Sequence, residues 1–162
     1  MVFALLTVVV MFHQLQPVPD DYSWMRGANY VPSYARNDVA TWMDYDPAVV
    51  DRELGYAERL KLNTVRVFLQ QTVYEKQPEK FLADFDNFLV LCEKHKIKMM
   101  PVLFDSCFDP QIVNLLDYKD KKWMPSPGFS RLGEEDRPAM EQYIVNVVGK
   151  HKDDNRIAIW DV

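Results

Sequence analysis

Four short apolar runs alternate along this chain with longer segments in which apolar residues recur every three or four positions. The runs occupy residues 24–31, 62–68, 97–104 and 157–162. Runs of this length, bounded by turn-forming or amphipathic segments, predict buried strands. The periodic segments between them, the first opening at the capping pair Asp46 and Pro47, predict three amphipathic helices.

The elements follow one another as strand, helix, strand, helix, strand, helix, strand. This order predicts an α/β fold of parallel βα units joined by right-handed crossovers. An open doubly wound sheet fits it, and so does the first half of a TIM (β/α)₈ barrel with about four strands and three helices. Pro101 departs from a regular strand, because proline has no N–H to donate. No glycine-rich loop follows a predicted strand, which argues against a dinucleotide fingerprint or a P-loop.

The carboxyl ends of the predicted strands carry a mixture of aromatic and polar side chains. Ligands bind at these ends in both architectures. Rings next to amides and carboxylates suit a neutral polyhydroxy ligand, although other small ligands fit them too. The residues at these ends are Asn29, Tyr30, Gln70, Asp105, Phe108 and Trp160.

Arg66 lies inside the second apolar run, between Val65 and Val67. A guanidinium in a buried strand is costly unless it is paired. It therefore needs a carboxylate partner or an acidic substrate near the carboxyl end of its strand. An ion pair without a chemical role explains this position equally well.

Composition narrows the classes of function. The 162 residues are 48% hydrophobic and carry a net charge of −5, which indicates one globular core and no electrostatic footprint for nucleic acid. Two cysteines and three scattered histidines make neither a disulfide framework nor a metal site. We therefore expect no cofactor and no metal.

Residues 1–23 differ from the rest of the chain. Residues 1–12 are an apolar run too short to span a bilayer, of the length of a signal-peptide core. A proline-containing linker follows and leads into a single domain at residues 24–162. We expect a secreted protein if the run is an export signal or its remnant; a buried strand or misjoined sequence is the alternative.

Four segments together resemble the retaining glycoside hydrolases of clan A, most closely the cellulase- and mannanase-like enzymes of family 5. The resemblance covers roughly residues 24–162. Its motifs are Arg-Gly-Ala-Asn-Tyr at 26–30, Asn-Thr-Val-Arg-Val-Phe at 63–68, Pro-Val-Leu-Phe-Asp at 101–105 and Arg-Ile-Ala-Ile-Trp-Asp-Val at 156–162.

The resemblance implies a role for several of these residues. Arg66 would support the catalytic nucleophile, and Asn29, Tyr30 and Asp105 would surround a carbohydrate substrate. From their places at the predicted strand ends, Phe108 and Trp160 are expected to add rings to the same cleft. The acid/base and nucleophile glutamates would both lie beyond Val162.

The resulting hypothesis is the amino-terminal half of a retaining glycosidase for β-linked polysaccharides or oligosaccharides. We expect these 162 residues to be inactive alone, because retaining hydrolysis needs two carboxyl groups ~5 Å apart. Two alternatives stay open. One is a non-catalytic half-barrel that binds carbohydrate or pairs with itself. The other is a different barrel enzyme, such as a lyase or isomerase.

Overall fold

The computed structural model describes residues 21–106, 115–120 and 123–162. The predicted leader at residues 1–12 and Phe108 lie outside the described residues. Three strands form a parallel sheet in the order β1, β2, β3. Their bounds are β1 Gly27–Asn29, β2 Thr64–Phe68 and β3 Lys98–Val102.

In the described part of the chain, five α-helices accompany the sheet, and three of them are the predicted ones. The bounds are α1 Asp38–Met43, α2 Pro47–Arg59, α3 Gln71–Lys76, α4 Pro78–Lys94 and α5 Arg137–His151. The short helices α1 and α3 lie in the loops after β1 and β2. Asn37 caps α1 and Asp46 caps α2 through their side-chain oxygens, as expected of Asn and Asp at these positions. The prediction of parallel βα units is confirmed.

The predicted fourth strand is present only as two parallel bridges to β3, Met99 with Ile157 and Val102 with Asp161. Ala158 N–H bonds to the Met99 carbonyl, and Asp161 N–H bonds to that of Pro101. Three residues of β3 therefore span four residues of the last segment. The ladder is interrupted at Pro101, which cannot donate the intervening bond, and this gives a bulge in place of a regular strand.

The hydrophobic core lies between the sheet and its helices. The β2 side chains Val65 and Val67, and Leu69 just after them, are buried in this core. The aromatic face of α4, formed by Phe81, Phe85 and Phe88, is buried in the same cluster. Side chains alternate along a strand, so Arg66 and Phe68 lie on the opposite face of the sheet. Among the described residues, no helix has the length and apolarity needed to cross a membrane.

Candidate functional site

Arg66 is held on the open face of the sheet by a carboxylate. Its Nε donates to Asp161 Oδ2 at 2.7 Å, and its Nη2 lies 2.6 Å from the same oxygen. Nη1 donates a longer bond of 3.5 Å to Asn29 Oδ1. Asp161 is thus the partner that a guanidinium in this strand requires. The pair is about one-third exposed, with 33% for Arg66 and 28% for Asp161, so it faces a solvent-accessible space.

Aromatic rings extend the site beyond this ion pair. The Cζ atom of Arg66 lies 4.6 Å from the centroid of the Phe68 ring, within the range of a cation–π contact. The Trp123 ring meets Phe68 edge to face, with centroids 5.3 Å apart. Trp123 comes from the segment between β3 and α5, so this stack joins the sheet to that segment.

These groups border a cleft of about 640 Å³ at the carboxyl end of the sheet. That volume lies within the range of small-ligand sites. Aromatic rings and several polar groups of the described residues surround it. They include Phe68, Phe104 and Trp123 on the apolar side and Asn29, Arg66, Asp105 and Ser106 on the polar side.

Hydrogen bonds anchor the segment that carries Trp123. Asp105 and Ser126 exchange two backbone bonds of 2.8 and 2.6 Å. Ser126 Oγ accepts from the backbone N–H of Gln71 at 3.0 Å. Gln70 Nε2 donates to the Pro125 carbonyl at 2.9 Å. Gln70, Gln71 and Ser126 are fully buried, so the anchor is shielded from water.

Asp38 lies behind this anchor. Its Oδ2 accepts a bond of 2.9 Å from Gln70 Nε2, and its Oδ1 has no hydrogen-bond partner among the described residues. Burial raises the pKa of Asp38 to about 8, against the stabilising bonds from its own backbone, Val39 and Gln70; the charge of Asp105 adds to the rise. Asp38 therefore carries a proton at neutral pH.

The structure brings three of the predicted site residues, Asn29, Arg66 and Asp105, to the cleft. It places two others on the helix side. The Tyr30 hydroxyl donates to Glu53 Oε2 at 2.8 Å, and its ring packs 5.9 Å from Phe88. The Trp160 ring packs 6.4 Å from Phe85. Tyr30 follows the cleft residue Asn29, and Trp160 precedes Asp161, the partner of Arg66. Neighbouring side chains on extended chain face opposite ways. Phe108, the sixth predicted residue, is not described.

Sequence reasoning missed Phe68, Trp123 and Asp161 as site residues. Phe68 was detectable, because it stands two positions after Arg66 on the same strand and shares its face. Asp161 carried no local signal as the partner of Arg66, because it stands 95 positions away along the chain. Trp123 carried no such signal, since its place depends on the fold of a long irregular segment. Among the described residues, no three His, Cys, Asp or Glu side chains are grouped to hold a metal ion.

Comparisons with known proteins bear on the fold. No family model matches the chain, and no curated protein does either. Solved structures do match. The exo-β-1,4-mannosidase Op5Man5 from Opitutaceae bacterium strain TAV5 aligns over 82% of this chain with a TM-score of 0.63 and 18% identity. A GH5_18 protein from Bifidobacterium longum subsp. infantis aligns over 84% with a TM-score of 0.56 and 14% identity.

A third match is a GH5_18 variant from Bifidobacterium longum subsp. longum in complex with Manβ1-4GlcNAc. It aligns over 84% of this chain with a TM-score of 0.56 and 12% identity. The chain spans 23%, 33% and 32% of the lengths of the three matched proteins.

These matches define the class of fold. The chain has the parallel βα arrangement of the first half of a (β/α)₈ barrel. More particularly, its fold is similar to the corresponding part of these solved GH5 structures.

Proposed function

We propose that this chain forms the Arg66 side of the substrate cleft in a retaining glycoside hydrolase for β-linked oligosaccharides or polysaccharides. The observation that carries the proposal is the arginine held by Asp161 in a cleft lined with aromatic rings. Retaining hydrolysis needs an acid/base and a nucleophile carboxyl group ~5 Å apart. In the proposal both glutamates lie beyond Val162, as the family resemblance implies.

Arg66 has a defined part in this mechanism. A guanidinium carries five N–H donors in a rigid plane. Asp161 accepts from Nε and Nη2, and Asn29 accepts from Nη1. These contacts fix the orientation of the guanidinium. They leave some of its N–H groups for another acceptor. A neighbouring positive charge and its hydrogen bonds favour the ionised form of a carboxyl group. Arg66 would thus keep the nucleophile ionised and correctly oriented for attack on the anomeric carbon.

The polar and apolar sides of the cleft suit a sugar. Asn29 and Asp105 offer hydrogen-bonding groups for hydroxyls, while Phe68, Phe104 and Trp123 offer rings for C–H faces. The matched structures include a β-1,4-mannosidase and a complex with Manβ1-4GlcNAc. We therefore propose a β-1,4-linked mannoside as the first substrate to test.

The test uses the product of the complete coding sequence, read past the codon for Val162. Incubated with Manβ1-4GlcNAc, it is expected to release mannose that is first detected as the β-anomer by NMR. First release of the α-anomer, or no release from any β-linked disaccharide, would contradict the proposal. Binding without release would instead favour the non-catalytic carbohydrate-binding module. The 162-residue chain assayed alone is expected to release no sugar.

A further inference from the structure

Residues 123–128 form one side of the cleft and are called here the wall segment, because Trp123 borders the cleft. In the described structure this segment contains neither a helix nor a regular strand. Its position is therefore set by hydrogen bonds to other parts of the chain. Segments of this kind open more readily than core strands and helices. The points at which the wall segment is attached thus determine the shape of the cleft.

A buried chain of hydrogen bonds connects the wall segment to Asp38. Gln70 stands at its centre, where Nε2 donates to the Pro125 carbonyl and to Asp38 Oδ2, each at 2.9 Å. Gln70 Oε1 accepts from the Thr72 N–H at 3.0 Å, which fixes the direction of the amide. Gln70 is 0% exposed and Asp38 is 3% exposed. A change in the charge of Asp38 therefore reaches the wall segment through a single amide group.

The groups around Asp38 favour its neutral form. They are the N–H groups of Asp38 and Val39 in α1, the Gln70 amide, Asp105 after β3 and the Tyr143 hydroxyl of α5. None of these groups is a cation, and Asp105 adds a like charge. A buried carboxylate in such surroundings is unfavourable, and burial raises the pKa of Asp38 to about 8. Burial also raises the pKa of Tyr143 well above its usual value, so this hydroxyl stays neutral.

Ionised Asp38 needs water, and the wall segment is the covering layer that yields most easily. The neighbours of Asp38 on α1, such as Val39 and Trp42, are fully buried in the core, whereas the wall segment is irregular chain. Repulsion between the carboxylates of Asp38 and Asp105 acts at the same place, because Asp105 exchanges two backbone hydrogen bonds with Ser126. Displacement of the wall segment relieves both effects.

We propose that Asp38 is a positioning residue of the cleft: its neutral carboxyl group keeps the wall segment in place through Gln70, and its ionisation releases that segment. The cleft is thus complete in acidic and neutral solution and opens in alkaline solution. This inference concerns the shape of the cleft, whatever ligand binds there. It does not depend on the proposed hydrolase activity.

Hydrogen exchange of the product of the complete coding sequence tests this inference, measured by mass spectrometry in peptic peptides that contain Ser126. The closed segment holds a proton on Asp38, and the open segment releases it, because the pKa of an exposed aspartate is near 3.8. The protection factor is therefore expected to fall about tenfold per pH unit between pH 5 and pH 7. At each pH it is expected to lie below that of peptides from α4, which open only on global unfolding.

Two variants separate the charge of Asp38 from its connection to the wall segment. Asp38→Asn cannot ionise and keeps an oxygen that accepts from Gln70, so the pH dependence is expected to disappear and the protection to stay high. Gln70→Leu removes the connecting amide and is expected to lower the protection at least tenfold at pH 5. Gln77→Leu is the matched control, because Gln77 Nε2 has no hydrogen-bond partner among the described residues. It is expected to exchange as the wild type does.

Three results would overturn the inference. One is the same pH dependence in Asp38→Asn and the wild type. Another is exchange of the Ser126 peptides at the rate of the α4 peptides in the wild type, which would mean that the wall segment does not open by itself. The third is full protection in Gln70→Leu. Where circular dichroism shows that Asp38→Asn is not folded, the wild-type pH dependence and Gln70→Leu decide the question. The sugar-release assay decides the hydrolase proposal separately.

Discussion

Neighbouring residues of one strand lie on opposite faces of the sheet in this protein, one face at the cleft and the other against the helices. Arg66 and Phe68 reach the cleft, while Val65 and Val67 between and beside them are buried against the helices. The same alternation separates Asn29 from Tyr30 and Asp161 from Trp160. A substitution at the cleft face is therefore expected to change binding, and one at the helix face to change stability.

Replacement of Arg66 by methionine tests this separation. The Arg66–Asp161 pair is partly exposed, so its loss is expected to cost only about 1 kcal/mol of the free energy of unfolding. Turnover of Manβ1-4GlcNAc by the complete gene product is expected to fall by at least about a hundredfold, the scale of losing one charge-stabilising group. Urea unfolding and steady-state kinetics measure the two effects. Equal losses in both would favour an ion pair without a chemical role.

The buried carboxyl group of Asp38 predicts a pH-dependent stability. Its pKa rises from 3.8 to about 8 because burial penalises the charged form. The folded state therefore holds a proton that the unfolded state releases between these values. The free energy of unfolding is expected to fall with rising pH across this window, on the order of 1 kcal/mol per pH unit.

Asp38→Asn removes the titrating group and keeps an oxygen that can accept from Gln70. The part of the fall in stability between pH 4 and pH 8 that comes from Asp38 is expected to disappear in this variant. The free energy of unfolding of the variant therefore rises relative to that of the wild type as pH rises. Urea unfolding at several pH values measures this difference. Asp153→Asn, at an exposed position, serves as the control. A parallel pH dependence in Asp38→Asn and the wild type would contradict a protonated Asp38.

Helices α2 and α4 are joined by an ionic cluster centred on one histidine, His95. His95, just after α4, lies 2.7 Å from Asp51 Oδ1 through Nε2 and 3.0 Å from Glu58 Oε2 through Nδ1. Lys94 adds a 2.7 Å contact with Asp51. Burial lowers the pKa of His95, but the hydrogen bonds that the protonated ring donates to Glu58 and Asp51 outweigh this effect, so the pKa is raised above 6.5. A protonated His95 thus strengthens the contact between the two helices.

His95→Gln tests this contact. A raised pKa in the folded state means that the stabilisation is complete below pH 6.5 and is lost as pH rises through the folded value. The variant is expected to be less stable than the wild type at pH 5.5 by about 0.5 to 1 kcal/mol. The difference should shrink by pH 9. Thermal melts at the two pH values measure it, and a deficit that stays constant with pH would show that His95 acts by packing alone.

At the scale of the whole molecule, two surfaces lack a cover among residues 21–106, 115–120 and 123–162: the β1 edge of the sheet and the side of α5 that carries Val145. Strand β1 pairs with β2 alone within the described sheet. Val145 on α5 is 62% exposed. An unpaired strand edge and exposed apolar residues favour association with another chain. In a complete barrel the following βα units would cover α5 and the strand edges.

We expect the 162-residue chain to self-associate at micromolar concentrations, and Val145→Lys to shift it toward the monomer. Val90→Lys is the matched control, because Val90 is 51% exposed on α4, a helix that already packs against α2 and α3. Analytical ultracentrifugation measures the change. A monomeric wild-type chain would show that this half-barrel needs no cover for its open surfaces.

The fold was largely predictable from the chain because its strands and helices carry clear periodic patterns. Arg66 was predictable as a site residue because a charged group inside an apolar run demands a partner. The partner itself was not, since Asp161 stands 95 positions away. Pro101 indicated an irregular strand, because proline has no N–H to donate. The position of the bulge was not predictable, because it depends on how residues 157–162 pack against β3.

The sequence by itself determined the order of the three long helices and the three strands, their parallel arrangement and the need of Arg66 for a carboxylate. These features follow from local periodicity and from the cost of burying charge. Only the tertiary structure decided which rings border the cleft. Trp123 is brought to Phe68 by buried hydrogen bonds between distant segments. Tyr30 and Trp160 are turned to the core by the pleat of their segments.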